Sequence, residues 1–181
     1  NTETRKEFTF TPGKELKQVH QEGVYRMTVS SFTAEGQVIQ ATAEFTISVK
    51  ADGFCFSGSI KTETPGWIVK AVNYPLMGGI RINGSETGIY WPVGLGEYYK
   101  NPEVFGSKSL WYPAAMGCAM PWFSINYPGG GLYVGDHDVT QENKVINLSY
   151  DKVNRTFSTG IDRPVYAGTF RIPEVMIKPY A

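Results

Sequence analysis

The sequence predicts an all-β protein, built as a two-sheet antiparallel β-sandwich with a long aromatic-rich loop insertion. Aromatic residues make up 14% of the chain, and 20 glycines and 11 prolines accompany them. This composition favours pleated strands joined by many turns. Apolar and polar residues alternate over several segments, which is typical of strands with one buried face. A closed barrel is the alternative architecture.

The first half of the chain contains the clearest strands. The longest alternating run is followed by the turn dipeptide Asp52-Gly53, so residues 37–60 predict a hairpin that contains a central antiparallel strand. The next β-type run is expected to end at Pro75, before a turn at Gly78-Gly79. The strands predicted here are Glu7–Thr11, Val24–Ser31, Gln37–Lys50, Gly66–Tyr74 and Ile80–Asn83.

The segment Asn83–Pro128 is rich in glycine, proline, tryptophan and tyrosine and shows no sustained periodicity. We interpret it as a long aromatic loop insertion. Loops of this length inside a compact domain are usually functional or disordered, and the aromatic content argues against disorder. The insertion is therefore the expected location of a functional surface.

Regular strands return after a predicted hairpin turn at Gly129–Gly131. Pro173 must lie at a sheet edge or at a bulge, because proline cannot donate to the strand ladder. The 181 residues suffice for one sizeable core, so we expect one domain over residues 1–181. The predicted strands are Leu132–Gly135, Asn143–Tyr150, Arg155–Thr159 and Tyr166–Lys178.

The charge balance narrows the class of ligand. Seventeen basic and seventeen acidic side chains cancel, which is unlike a nucleic-acid-binding or membrane-surface protein and favours a neutral ligand. No apolar run approaches the roughly 20 residues that span a bilayer. The first residues lack the apolar core of a signal peptide, as a secreted chain does after its signal has been removed.

The cysteines and histidines give no metal-binding pattern, so we predict no metal and no cofactor. Cys55 and Cys118 form either one disulfide or two buried thiols, and the sequence leaves both open. Asp136, Asp138 and Glu142 offer carboxylates to calcium, but their spacing fits no calcium loop. A solvated acidic turn is the alternative interpretation of these three residues.

Aromatic side chains in and beside the insertion are the predicted ligand-binding residues. Sugars present apolar C–H faces that pack on flat rings, while nearby polar groups bond their hydroxyls. The alternative is that these rings cover the sandwich core or dock on another domain. The predicted ligand-binding residues are Tyr90, Trp91, Trp111, Trp122 and Tyr133.

No residue is assigned a catalytic role with a defined mechanism. His137, between Asp136 and Asp138, is either a general acid or base or a histidine bonded to a neighbouring carboxylate in a turn. Glycosidic cleavage needs two carboxyl groups that flank the bond, and Asp138 and Glu97 are among the candidates. The residues considered for catalysis are therefore His137, Asp138 and Glu97.

Six segments together resemble the amino-terminal β-supersandwich region, of galactose-mutarotase-like fold, found in a group of bacterial glycoside hydrolases related to the α-galactosidase-like clan. The resemblance covers most of the chain beyond about residue 60. The segments are WIVKAVNYPLM from Trp67, YWPVGLGE from Tyr90, MPWF from Met120, GGLYVGDHD from Gly130, YAGTFRIP from Tyr166 and KPY from Lys178.

In that group, such a domain precedes a (β/α)₈ barrel that carries the catalytic carboxylates, a unit of typically about 250 residues that this chain has no room for. The resemblance therefore implies an accessory domain that packs on a catalytic barrel and borders its sugar pocket, with a linker beginning at Pro179. It also implies a secreted, periplasmic or extracellular protein. The alternatives are a stand-alone carbohydrate-active enzyme of mutarotase-like fold that uses His137 and a carboxylate, and a protein-interaction sandwich.

Overall fold

The computed structural model describes residues 1–3, 6–10, 17–34, 36–82, 86–113, 118 and 120–181. These residues form 13 strands and one helix of four residues, which confirms the all-β prediction. The elements are β1 (Lys17–Gln21), β2 (Val24–Ala34), β3 (Gln37–Lys50), β4 (Gly53–Thr62), β5 (Val69–Ile80), β6 (Gly88–Trp91), β7 (Glu97–Tyr99), α1 (Pro102–Phe105), β8 (Ser107–Tyr112), β9 (Trp122–Tyr127), β10 (Gly130–Asp136), β11 (Lys144–Asp151), β12 (Thr156–Ala167) and β13 (Thr169–Tyr180).

Two antiparallel sheets make up the sandwich. The large sheet has nine strands in the order β1-β2-β3-β4-β13-β10-β9-β6-β7, and the small sheet has four in the order β5-β12-β11-β8. Strands that neighbour each other in a sheet are often distant in sequence, as in the pairing of β13 with β4 and with β10. Both sheets contribute buried apolar side chains to one core. The predicted two-sheet sandwich is therefore confirmed.

The β9–β10 hairpin shows why alternation buries one side of the large sheet. Phe123, Ile125 and Val134 point inward and are at most 2% exposed, whereas Ser124 and Tyr133, which alternate with them, point outward. Complete burial of a large apolar side chain contributes roughly 1.5–3 kcal/mol. The hairpin turn predicted at Gly129–Gly131 is confirmed, because β9 ends at Tyr127 and β10 begins at Gly130.

The predictions for the first 62 residues are mostly confirmed. The hairpin over residues 37–60 corresponds to β3 and β4, and β3 has the predicted bounds. The first strand is wrong: residues 7–10 form no strand, while Thr11 lies outside the described residues. The first strand among the described residues is instead β1, whose five residues are all exposed, so burial imposes no alternation on its sequence. Phe10 packs edge-on against Phe32, with ring centroids 4.1 Å apart.

The expected break at Pro75 is also wrong, because β5 continues through this proline to Ile80. β5 is an edge strand of the small sheet, so proline is tolerated where it has no partner on one side. The β5–β12 register shifts three times along the pair, which absorbs the irregularity. The separate strand predicted over residues 80–83 does not form at Arg81 or Ile82, and Asn83 lies outside the described residues.

The segment predicted as a loop insertion, Asn83–Pro128, contains β6, β7, α1, β8 and β9 in its described part. This corrects the insertion prediction. These strands are only three to six residues long, so too few residues repeat for alternation to be visible. Their partners are distant, since β6 pairs with β9 and β8 pairs with β11. Asn101 begins α1 by accepting a hydrogen bond from the Glu103 amide at 2.8 Å.

Near the end of the chain, β12 is far longer than the predicted strand Arg155–Thr159, and β13 begins three residues later than predicted. β11 shifts by one residue relative to Asn143–Tyr150. Pro173 was predicted at a sheet edge or a bulge; β13 lies inside the large sheet, and its register with β4 shifts between Ile172 and Val175, as at a bulge. In the part of the chain described above, no helix has the length and apolar content needed to cross a membrane.

Candidate functional site

The outward side of the large sheet carries a cluster of rings and polar groups on β6, β7, β9, β10 and β13. We call this cluster the aromatic face. Its rings are partly or largely exposed, and all of its members lie on strands except His137, which directly follows β10. The aromatic face comprises Tyr90, Tyr98, Trp122, Ser124, Asn126, Tyr133, His137, Lys178 and Tyr180.

Trp122 and Tyr133 form the first group of rings on this face. Their ring centroids lie 5.9 Å apart at an interplanar angle of 30°, an offset stack between neighbouring strands. The Tyr133 ring also meets His137 edge-on at 6.2 Å, and its hydroxyl lies 3.4 Å from the Nε2 atom of His137. The Trp122 indole N–H donates to the Met120 sulfur at 3.4 Å. Burial raises the pKa of Tyr133, so this phenol stays protonated at neutral pH.

Tyr90 and Tyr98 form the second group of rings. Tyr90 pairs with Tyr98 across β6 and β7, with ring centroids 4.6 Å apart and an interplanar angle of 42°. The two residues are 49% and 47% exposed, so both offer ring surface to solvent. An open depression of about 290 Å³ lies beside Tyr98, and Tyr99, Lys100, Asn101 and Val104 complete its lining.

Polar groups of β9 and β13 lie beside the two groups of rings. The Asn126 amide donates to the Ser124 hydroxyl at 3.3 Å, and the Tyr180 hydroxyl donates to the carbonyl oxygen of the same asparagine. Asn126 and Tyr180 keep part of their surface accessible. The face therefore combines flat apolar rings with hydrogen-bonding groups, the combination that a polyhydroxylated ligand requires.

Glycines allow the rings to lie flat on the sheet. A Cβ atom at Gly88 would overlap the ring of Tyr98, and one at Gly135 would overlap the ring of Tyr133. Each tyrosine ring thus lies over a glycine and does not project straight out from its strand. Glycine at these two positions therefore gives the tyrosine rings room to pack close to the sheet.

The five predicted ligand-binding residues do not form one surface. Tyr90, Trp122 and Tyr133 belong to the aromatic face. Trp91 lies in the core, is 2% exposed and packs edge-on against Phe105 at 5.3 Å, which corrects its place among the ligand-binding candidates. The correction follows from β6 alternation, which turns Tyr90 outward and its neighbour inward.

Trp111 lies on the opposite side of the molecule, on the outward side of the small sheet. It is 61% exposed on the edge strand β8, and it pairs with Val145 of β11. Beside it, the Ser109 hydroxyl donates to Asn147 at 2.6 Å. Trp111 is therefore separated from the aromatic face by both sheets.

Beneath the aromatic face, four buried charges join the two sheets; we call them the charge cluster. Asp136 of the large sheet accepts from the Arg163 guanidinium at 2.6 Å and lies 3.3 Å from the Lys144 ammonium. Lys144 also donates to Asp138 at 2.7 Å, and all four side chains are at most 1% exposed. Two cations and two anions offset one another, which makes their burial tolerable.

Asp138 organises the turn that leads from β10 to β11. Its carboxylate accepts from the Thr140 amide at 2.8 Å, from the Glu142 amide at 3.0 Å and from Lys144. Burial raises the pKa of Asp138, but the hydrogen bonds from Lys144 and Thr140 outweigh burial and lower this pKa to about 2. Asp136 and Asp138 are therefore buried structural anions, which corrects the interpretation as a solvated acidic turn.

The three residues considered for catalysis do not converge. His137 is exposed on the aromatic face, and its ring contacts Tyr133. Asp138 is buried in the charge cluster. Glu97 lies on β7 and bonds the Tyr99 hydroxyl, which raises the pKa of Tyr99 to about 12. Three strand spacings, roughly 14 Å, separate β7 from β10.

The positions of the cysteines and of the possible metal ligands can be read from the side chains. Cys55 and Cys118 are both buried free thiols, so no disulfide joins them. Burial raises the pKa of Cys118 to about 11. Across the described ranges, no group of three or more His, Cys, Asp or Glu side chains is arranged to hold a metal ion.

Five members of the aromatic face are not among the residues predicted for binding or catalysis: Tyr98, Ser124, Asn126, Lys178 and Tyr180. A signal for two of them was present, because Trp122, Ser124 and Asn126 follow one another at a spacing of two and so share a strand face. Tyr180 gives no such signal, since its place depends on the pairing of β13 with β10.

No family model matches the sequence, and no curated protein matches it. Among solved structures, the fold is similar to a variant GH36 α-galactosidase, AgaA of Geobacillus stearothermophilus, in complex with raffinose. The TM-score is 0.47 and the identity 11%, over 93% of this chain and 26% of that enzyme. The chain thus spans about a quarter of the enzyme's length, and raffinose binding is a property of the enzyme.

Proposed function

We propose that this chain is a non-catalytic, carbohydrate-binding accessory domain of a glycoside hydrolase, and that its aromatic face contacts a neutral saccharide. The observation that carries the proposal is the stack of Trp122 on Tyr133 beside hydrogen-bonding groups on one exposed face. Rings match the C–H faces of a sugar, and Asn126, His137 and Tyr180 match its hydroxyls.

The charges on the aromatic face support a neutral ligand. Its ammonium group, on Lys178, is already paired with Asp52 at 2.6 Å. None of the nine residues that define this face carries a carboxylate, and the chain as a whole has a formal net charge of zero. An anionic or cationic saccharide would therefore gain little from ionic attraction here.

The accessory role rests on the separation of the three catalytic candidates. In this proposal, a (β/α)₈ barrel supplies the catalytic carboxylates, and the sandwich packs on it and borders its sugar pocket. A periplasmic or extracellular bacterial setting belongs to the same proposal. The resemblance of the six sequence segments to the amino-terminal region of glycoside hydrolases is its source.

Saccharide titration tests the function. Neutral mono- and oligosaccharides are added to the chain while tryptophan fluorescence is followed, and we expect saturable quenching or a spectral shift with at least one sugar. Trp122→Ala is expected to weaken binding at least tenfold, because loss of a stacked ring costs about 1.4 kcal/mol or more. Trp111→Ala is the matched control, since this exposed tryptophan lies on the small sheet, and its affinity is expected to be unchanged.

The same titration distinguishes the alternatives. If none of a broad panel of neutral sugars changes the fluorescence, the proposal is contradicted, and an aromatic face that docks on another protein domain is favoured. Turnover of a sugar by this chain alone, abolished in His137→Ala, would establish the stand-alone enzyme instead.

A further inference from the structure

The strand register aligns five members of the aromatic face into one row that crosses five adjacent strands. Tyr98 of β7 lies opposite Tyr90 of β6, which lies opposite Ser124 of β9. Ser124 in turn lies opposite Tyr133 of β10, and Tyr133 opposite Lys178 of β13. Directly opposed residues of an antiparallel pair share a face, so the row is continuous from β7 to β13.

The row is long relative to a single sugar ring. Neighbouring strands lie about 4.8 Å apart, so five strands span roughly 19 Å. The two groups of rings stand at separate places along it, Tyr90 and Tyr98 on β6 and β7, Trp122 and Tyr133 on β9 and β10. Ser124, which is 5% exposed, lies low between Tyr90 and Tyr133. The surface is therefore an elongated platform with a small residue at its centre.

Both ends of the row offer further contacts. Beside Tyr98, the open depression of about 290 Å³ extends the surface past β7. At the other end, His137 adjoins Tyr133, and Tyr180 with Asn126 supplies polar groups along one side. One sugar ring on Trp122 and Tyr133 would leave Tyr90, Tyr98 and the depression uncovered.

We propose that the ligand of the aromatic face is an extended neutral oligosaccharide that lies across the strands from β10 to β7. This inference rests on the proposed function and specifies its ligand class. Trp122 and Tyr133 hold one end of the saccharide, and Tyr90 and Tyr98 hold sugar units farther along the same saccharide. Affinity therefore increases with the number of linked sugar units, and the far end determines that increase.

The test is a length series measured by titration calorimetry. The probes are neutral linear gluco-, galacto-, manno- and xylo-oligosaccharides of two to six units. We expect the six-unit member of the bound series to bind at least tenfold more tightly than the two-unit member. Tyr90→Ala is expected to remove most of this increase while leaving the two-unit affinity within about twofold.

Matched variants separate ring contact from folding. Tyr90→Phe keeps the ring and is expected to retain the length dependence. Trp122→Ala is expected to weaken every length of saccharide, and Trp111→Ala none. The thermal unfolding midpoint of each variant shows whether the fold is intact. We expect little change for Tyr90→Ala, because Tyr90 is half exposed and its truncation removes little buried surface.

The outcomes distinguish this inference from the function beneath it. If two-unit and six-unit saccharides bind equally well, the extended ligand is wrong and the saccharide-binding function remains. Equal loss of two-unit and six-unit affinity in Tyr90→Ala also contradicts the extended arrangement. If no member of any series binds, both the inference and the proposed function fail.

Discussion

The two sides of the β9–β10 hairpin have opposite properties. On the outward side, Trp122 and Tyr133 stack in partial contact with solvent. On the inward side, Phe123 and Val134 lie in the core, and Asp136 joins the charge cluster. Successive residues of one strand thus lie in different environments. A charged residue beside an aromatic residue in the sequence can therefore lie on the opposite side of the sheet.

The contrast is sharpest between Asp136 and His137, which are neighbours in sequence. The aspartate is 4% exposed and bonded to Arg163, whereas the histidine is exposed beside Tyr133. We infer that the inward side supports stability and that the outward side supports binding. Substitutions on the two sides should therefore separate stability from binding.

The largest expected effect is on the inward side. Asp136→Ala leaves the buried Arg163 and Lys144 with fewer anionic partners, so we expect the free energy of unfolding to fall by roughly 3–5 kcal/mol. Urea unfolding followed by circular dichroism measures this loss. The control is Glu142→Ala, an exposed carboxylate on the adjacent turn, which is expected to change stability by less than about 0.5 kcal/mol. Equal effects would show that the charge cluster does not stabilise the fold.

A smaller effect is expected from protonation of Asp138. Its pKa, about 2 in the folded chain, lies below the unfolded value near 4, so its charge contributes stability above pH 4 that is lost as the pH falls toward 2. Asp138→Asn resembles the protonated side chain. We expect its deficit relative to the unmodified chain to be about 2 kcal/mol at pH 6 and to shrink toward pH 2. Urea unfolding across this range checks it, and a deficit independent of pH contradicts the assigned role.

The smallest effect on stability is expected on the outward side. Trp122→Ala removes one aromatic stack from a partly exposed site, so we expect a loss of about 1 kcal/mol in the free energy of unfolding. The same variant is expected to lose saccharide affinity at least tenfold, as argued above. Urea unfolding and fluorescence titration on one preparation measure both quantities. A destabilisation as large as that of Asp136→Ala would remove the distinction between the two sides of the hairpin.

Strands with long alternation could be predicted from the sequence, because one buried face imposes a period of two over many residues. Gln37–Lys50 has the observed bounds of β3 for this reason. The short strands β6, β7 and β8 could not, since three to six residues are too few and their order in the sheets depends on distant partners. The assignment of the whole segment to a loop followed from that lack of periodicity.

The burial of two members of the charge cluster was indicated by their positions in the apolar alternation, which a count of charges does not show. Asp136 follows Leu132 and Val134 at a spacing of two, and Lys144 precedes Ile146 and Leu148 in the same way. A charged residue in phase with the apolar side of a strand must be buried and must find a partner. The sequence could thus have indicated burial, but the identity of the partners, across two sheets, required the fold.

Strand phase and sheet topology also explain which of the predicted ligand-binding residues share the aromatic face. Tyr90, Trp122 and Tyr133 were selected by residue type, which does not distinguish them from Trp91 or Trp111. Strand phase separates Tyr90 from Trp91, and sheet membership separates Trp122 from Trp111. Residue type gives the chemistry of a surface, and the topology decides which residues share it.

The most direct test of the account is an amide NMR titration of the chain with the tightest-binding neutral saccharide. We predict that the largest shift changes map to the outward positions of β6, β9 and β10, around Tyr90, Ser124 and Tyr133, and that β8 and β11 are unaffected. Changes centred on Trp111 and the small sheet, or no changes at saturating saccharide, would contradict the aromatic face as the binding surface.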